Sequence, residues 1–425
     1  MLIRSNPPEP ATPKSATPEQ EAIAANENTS QDQLQELAKS SIYLARLVAR
    51  NAIASSDILQ DLASSADAAT REGVATNPNT PVNILLKLGA DFPKLLLDNP
   101  VFSLLLLENP NLVEEMPLST LKSLVEQQVP ISFLEGAEKR SNSQRVSRED
   151  QLVLDAVARN LHTPASVLER LAAGTQVNWL GGTIAKHPNT LGDTLGKLAR
   201  DKQCEVRQSV AEHPNTPTDV LDWLTEDLDI YGTYPHQELG FIRRIVAQNP
   251  NTPEKTLEHL AQDQGVTMNR GRDIREAVAE NPNTPLSVLE KLAHDTHECV
   301  RWAVAVHPKM TVNLLIQTKL AHNEQAAQDL WLAKQVNTPI DILEQLAYRG
   351  VLVGLAVAKN PSLPGYLIEK LYVRQGGVMY ADAIARHPNA SASVLKKFRR
   401  HPSTYLRHLA AKHPNAPETL KRSLL

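Results

Sequence analysis

Five histidines recur at one position of a repeating pattern: His187, His213, His307, His387 and His413. Imidazole is the commonest metal ligand, so such a row raises metal binding first. The register argues against it. Asn249, Asn281 and Asn360 hold the same position, so what the position needs is a polar side chain that ends a helix. Stacked neighbours would also lie too far apart to share an ion bound at about 2 Å. An arginine row stands six residues earlier, at Arg71, Arg207, Arg243, Arg275, Arg301 and Arg407, and Asp201, Asp263 and Asp295 close the preceding helices. Asp295 with Arg301, and Asp201 with Arg207, are expected to tie one helix end to the next start; an anion-binding row is the alternative. Cys204 and Cys299 stand three units apart. With helices spaced about 8–10 Å, that is beyond disulfide reach, and two such cysteines cannot hold an iron–sulfur cluster. The sequence contains no phosphate-binding P-loop, no Gly-rich dinucleotide turn, no H-E-x-x-H, no nucleophile elbow and no convergent Ser/His/Asp set.

The elements that position these rows follow from one stretch, Arg275 to Asp295. Ile274, Ala277 and Val278 share one face of a short helix. Asn281 ends it, and Pro282 prevents its continuation. Thr284 is read as the N-cap of a second helix with Pro285 as its first residue. Val288, Leu289, Leu292 and Ala293 give that helix its apolar stripe. Counting from the turn residue, the copies are anchored at Asn160, His187, His213, Asn249, Asn281, His307, Gln335, Asn360, His387 and His413, with looser copies at Asn51 and Asn77. From Asn160 to His413 the steps are 25–28 residues except for two, of 36 and 32. That period is too short for tetratricopeptide, ankyrin or HEAT units.

The pattern V-R-x-A-V-A-x-N-P-N-T-P-x-x-V-L-x-x-L-A-x-D, seen best in Val206–Leu224, Ile242–Ala261 and Ile274–Ala293, resembles the bacterial leucine-rich-repeat variant family. The resemblance is good over about 150–425 and weaker over 40–120. It implies an all-α, right-handed superhelical solenoid of short helix pairs (α/3₁₀ or α/α) without strands. Some members of that family carry a Cys-rich iron–sulfur segment ahead of the repeats; this chain departs from them there, and no cofactor is expected.

Over 425 residues the net charge is −4, which makes no general case for nucleic acid, and repeat arrays escape the size ceiling of single cores. Residues 1–30, rich in Pro, Ala, Thr, Glu and Gln, are read as a disordered tail. Residues 31–135 are read as irregular helical repeats, 136–150 as a polar linker or exposed helix, and 151–425 as the regular array. The Leu-rich stretches Leu95–Leu97 and Leu104–Leu107 are read as buried helix, since Asn-Pro interrupts them too often for a membrane span. With no secretory signal in the first residues and two reduced cysteines, a cytoplasmic protein is expected.

Three surfaces stand out. An acidic column on the second helices reads Glu169, Asp222, Glu258, Glu290, Glu344 and Glu369, then turns to Lys396 and Lys421. Trp223 and His259 flank it beside two insertions, 227–240 and 264–272, which bear Tyr231, Tyr234, His236, Met268, Arg270 and Arg272. The carboxyl end, with Lys396, Lys397, Arg399, Arg400, Arg407, Lys421 and Arg422, is strongly basic. The first reading is a non-catalytic scaffold that binds a protein partner through the column and insertions. A second is nucleic acid or an anionic surface meeting the basic cap. A third, a repeat-based lyase or chaperone-like enzyme using Tyr231, His236 and Trp223, rests on residues that are explained without chemistry.

Overall fold

The computed structural model describes residues 16–109, 111–142, 146–174, 178–226, 235–264, 270–374 and 380–422. Among them every regular element is a helix, and helices pack on their near neighbours in sequence, as a stack of repeats requires. The chain divides into two compact units, Met1–Val210 and Ala211–Leu425.

In both units the repeat is a pair of short α-helices, such as Arg270–Glu280 followed by Leu286–Leu292. The two 3₁₀ segments, Asn178–Leu180 and Phe398–Arg400, lie at unit edges, so among the described repeats the pairs are α/α. The apolar pattern is read as expected. Ile274, Val278, Leu289 and Leu292 are all buried, and burial of such residues contributes about 1.5–3 kcal/mol each.

The turn residue has a larger role than ending a helix. In the second unit Asn281 donates from Nδ2 to the carbonyls of Ala247 and Asn249, both at 2.8 Å. Those are the carbonyls at the turn of the preceding repeat. Its Oδ1 accepts the N–H of Asn283, two residues on, at 2.9 Å. Asn249 and Asn360 do the same toward their predecessors. Histidine fits the same two bonds. Nε2 of His307 reaches Asn281 O at 3.0 Å while its Nδ1 accepts the Lys309 N–H at 3.1 Å, and His387 and His413 repeat the arrangement. With both ring nitrogens bonded to backbone, His307, His387 and His413 serve as turn ties in the place that asparagine holds elsewhere. Among the described residues no group of His, Cys, Asp and Glu is placed to hold a metal ion. The second turn residue supports the ladder, with Asn283 donating to Pro250 O and Asn389 to Pro361 O and Leu363 O.

Thr284 departs from its expected role. Its hydroxyl donates backward to Val278 O at 2.5 Å, and the following helix begins at Leu286 with Pro285 as its cap residue and no side-chain cap bond. Thr80, Thr163, Thr190 and Thr252 behave alike. The hydroxyl is turned back toward the carbonyl left open at the end of one helix, and no N–H of the helix Leu286–Leu292 donates to it.

The first unit carries the same ladder through Asn51, Asn77, Asn99, Asn160 and His187. It begins earlier than the composition implied. Pro18–Ala25 is a helix with a Thr17–Gln20 capping box, and Asn51 bonds Ala24 O, so part of the segment read as a tail is the first rung. The start of the stretch read as a polar linker or exposed helix is packed: residues 136–141 belong to the helix Ile131–Ser141, in which Ala137 is buried, and the charge of the buried Glu138 is met by Arg170 at 2.9 Å. Leu96 and Phe102 are buried as expected in the Leu-rich region, but Leu104 and Leu107 are 58% and 80% exposed. Among the described residues no helix is long and apolar enough to cross a membrane.

Candidate functional site

In the second unit the first helices of successive repeats turn one face inward. Before the anchors Asn249, Asn281, His307, Asn360 and His387 that face is drawn from the residues one, four, five and eight before the anchor. Four before stand Ala277, Ala303, Ala356 and Ala383, each at most 6% exposed. A methyl group there lets the helices approach closely, and the stack coils tightly enough for distant repeats to touch. Lys359 Nζ meets Glu280 Oε1 at 2.6 Å across 79 residues. The Arg244 guanidinium lies 5.2 Å from the Tyr405 ring centroid, and Arg386 lies 6.0 Å from it and donates to the Tyr405 hydroxyl.

Between these groups lies a cavity of about 340 Å³, lined by Arg244, Glu276, Glu280, Trp302, Arg386 and Tyr405 among others. Its charges are mostly matched internally. Arg272 bonds Asp273 at 2.6 Å, Lys359 bonds Glu280, and Arg386 bonds Asp382 at 3.1 Å. Burial, and then the neighbouring Glu280 and Asp273 carboxylates, push Glu276 above the usual carboxylate range. Burial and Glu276 together push the Cys299 thiol up to about 11, so it is not a thiolate nucleophile near neutral pH. Deeper along the groove Lys334 donates to the carbonyls of Ala305, His307 and Met310 at 2.8–3.4 Å. It thereby fills the anchor role that the sequence assigned to the adjacent Gln335, whose amide instead turns to Trp331 O. Burial lowers its pKa to about 8.

The Glu280–Lys359 contact is the simplest to test. Both side chains are about one-third exposed, so the pair contributes on the order of 1 kcal/mol, but it joins helices that stand 79 residues apart in the chain. Lys359→Glu is expected to lengthen the distance between spin labels at Ser287 and Tyr366 in a cysteine-free background, and Glu280→Lys in the same chain to restore it. An unchanged distance in the single variant would mean that alanine packing alone sets the coil.

The outward surfaces read from sequence are more neutralised than their residue types suggested. Glu169 is paired with Lys197 at 3.0 Å, Glu344 with Lys370 at 2.7 Å and Glu369 with Lys397 at 3.1 Å, each lysine coming from the next repeat. Asp222 accepts the Thr256 hydroxyl at 2.8 Å. Glu258, His259 and Glu290 are exposed, and neither glutamate forms an ion pair among the described residues. Trp223 is half-buried. Tyr231, Tyr234 and Met268 lie outside the described residues; His236 and Arg270 are placed on helices Pro235–Gln248 and Arg270–Glu280. Arg272 is partly exposed and paired with the adjacent Asp273.

The arginine row is bonded to backbone and to aspartates. Arg301 donates to the Asp295 carbonyl at 2.6 Å and Arg207 to the Asp201 carbonyl at 2.8 Å. The expected partnership holds, but through backbone oxygen. The Asp295 carboxylate is taken by Arg275, at the other end of the same repeat, at 2.6 Å, as Asp263 is by Arg243 at 2.8 Å. In the basic cap, Lys397 is paired with Glu369, Arg407 donates to His401 O and Pro402 O, and Lys421 is paired with Glu418. Lys396, Arg399, Arg400 and Arg422 remain exposed.

The leucine rich repeat variant family model matches residues 240–264 and 272–297. These two units are leucine rich repeat variant repeats. They include Asn249 and Asn281 and the helices that bear Arg244, Glu276 and Glu280, so leucine rich repeat variant helices form one wall of the groove. No curated protein matches the chain. A solved engineered protein aligns over 95% of this chain and 99% of its own at 14% identity, with a TM-score of 0.26, too low to mean a shared fold. The groove residues escaped the sequence reading because they occupy the variable positions of the repeat pattern. The recurring alanine four before the anchor was the available signal, since a conserved spacing of small side chains marks close approach of helices.

Proposed function

We propose that the protein is a non-catalytic interaction scaffold. It meets a basic protein partner on the outer face of the repeats around residues 222–297. The observation that carries this reading is the uneven neutralisation of the acidic column. Lysines of the next repeat cover Glu169, Glu344 and Glu369, whereas Glu258 and Glu290, beside the two insertions, keep their charge exposed. Unscreened charge of one sign on a surface steers a partner of the other sign. The absence of catalytic motifs in the sequence, and a thiol held protonated, support a binding role over a chemical one.

A photo-crosslinking residue placed at position 258 or 290 is expected to trap the same partner from cells, and one at 169 or 344 to trap none. Glu258→Lys together with Glu290→Lys is expected to abolish the crosslink at a neighbouring site such as His294, which lines the same surface depression as Glu258. Equal trapping at all four positions would overturn the assignment.

A further inference from the structure

The charges lining the groove cavity pair off with two exceptions. Arg272 with Asp273, Lys359 with Glu280 and Arg386 with Asp382 form three ion pairs. Glu276 and Arg244 form none among the described residues, although both line the same cavity. They occupy the same position, five before the anchor, on adjacent packed helices, Pro235–Gln248 and Arg270–Glu280. Packed helices stand about 8–10 Å apart, within reach of a direct pair between such long side chains. The Arg244 guanidinium lies instead over the Tyr405 ring, 5.2 Å from its centroid. One carboxylate and one guanidinium therefore face a shared space without each other, in surroundings where an uncompensated charge is unfavourable.

From this juxtaposition we infer that the cavity binds a small zwitterion of amino-acid type, its ammonium on Glu276 and its carboxylate on Arg244. The class follows from complementarity. A lone cation would satisfy Glu276 and leave Arg244; a lone anion would do the reverse; a molecule carrying both completes the set. Arg is suited to the carboxylate end because its planar fork can bond both oxygens. Trp302 and Tyr405 supply aromatic wall to the ligand's methylene stem or its ammonium. At about 340 Å³ the space is at the small end of ligand cavities, which admits an amino acid and excludes a folded partner. Burial, and then the Glu280 and Asp273 carboxylates, raise the pKa of Glu276 against the lowering influence of Arg272 and Lys359. This site lies on the inner face and stands or falls separately from the outer interaction surface.

Isothermal titration of the full-length protein with 6-aminohexanoate, glycine, hexylamine and hexanoate tests the inference. Saturable binding of at least one zwitterion is expected, with hexylamine and hexanoate each about tenfold or more weaker, as loss of one charge-assisted contact implies. Glu276→Gln and Arg244→Gln, both close in shape to the originals, are each expected to weaken the zwitterion about tenfold or more. Circular dichroism melting of both variants reports whether they are folded. Hexylamine binding as tightly as the zwitterions would make this an ammonium site and overturn the assignment. So would the absence of saturable binding by either zwitterion at millimolar concentration, or variants that melt like the parent and bind undiminished. Crosslinking at 258 and 290 is expected to be unaffected by Glu276→Gln, so failure of one reading is distinguishable from failure of the other.

Discussion

Asn281→Leu is expected to destabilise the second unit by roughly 3 kcal/mol, whereas Asn281→His is expected to stay within about 1 kcal/mol of the parent. The leucine is close to asparagine in size but can neither donate to Ala247 O and Asn249 O nor accept from the Asn283 N–H. Asn281 is 2% exposed, so the two carbonyls and the N–H it serves would have no ready exchange for water. Leaving buried partners unsatisfied is worse than never having made the bond. Histidine keeps one donated bond and the accepted one, as it does at positions 307, 387 and 413. Because repeat stability is local, the loss should show most clearly as faster hydrogen exchange in helices 235–248 and 270–280, together with a lower urea midpoint. If leucine proves as well tolerated as histidine, the turn bonds do not hold the stack together.

The interchange of asparagine and histidine should fail in acid. Burial holds His307 down at about 4, against an ordinary value near 6.5, and His387 is lowered for the same reason. The structural cause is visible at Nδ1: a proton there would face the Lys309 N–H that the ring now accepts. The unfolded chain takes up this proton first. The stabilisation from neutral His307 is therefore complete above about pH 6.5, declines as pH falls, and is gone near pH 4. Across that window the loss is roughly 3 kcal/mol for His307. In urea titrations at a series of pH values, His307→Asn is expected to match the parent at pH 7 and to exceed it at pH 5. Parallel pH profiles for the two proteins would show that this histidine does not titrate with unfolding.

How much of this could be read from the chain depends on which forces act locally. Ile274, Val278, Leu289 and Leu292 announce their burial by helical spacing, and the Asn-Pro and His-Pro turns announce where helices stop. The direction of the anchor bonds was not legible. Asn281 could have bonded its own repeat or either neighbour, and only coordinates show it reaching back to Ala247 and Asn249. Thr284 was misassigned because a threonine before Pro is an equally good cap or turn closer, and the open carbonyl of Val278 decided between them. The helix at Pro18–Ala25 was missed because its sequence is weakly apolar; what recruits it is the amide of Asn51, 27 residues away. The groove was the least accessible. Glu280 and Lys359, or Arg244 and Tyr405, meet because the pitch of the coil brings them round, and pitch depends on the summed packing of every repeat between them.

The one-way sense of the anchor bonds has a consequence for how the protein is made. Each repeat's donor is satisfied by oxygen atoms belonging to the repeat synthesised just before it. Among the described rungs, therefore, the oxygen atoms that an anchor needs belong to chain already made when that anchor is translated. Assembly can advance with synthesis, one rung at a time, from the amino end. Cutting repeats from the carboxyl end removes donors and leaves only carbonyls that water can serve, while cutting from the amino end strands a donor that was built to be covered.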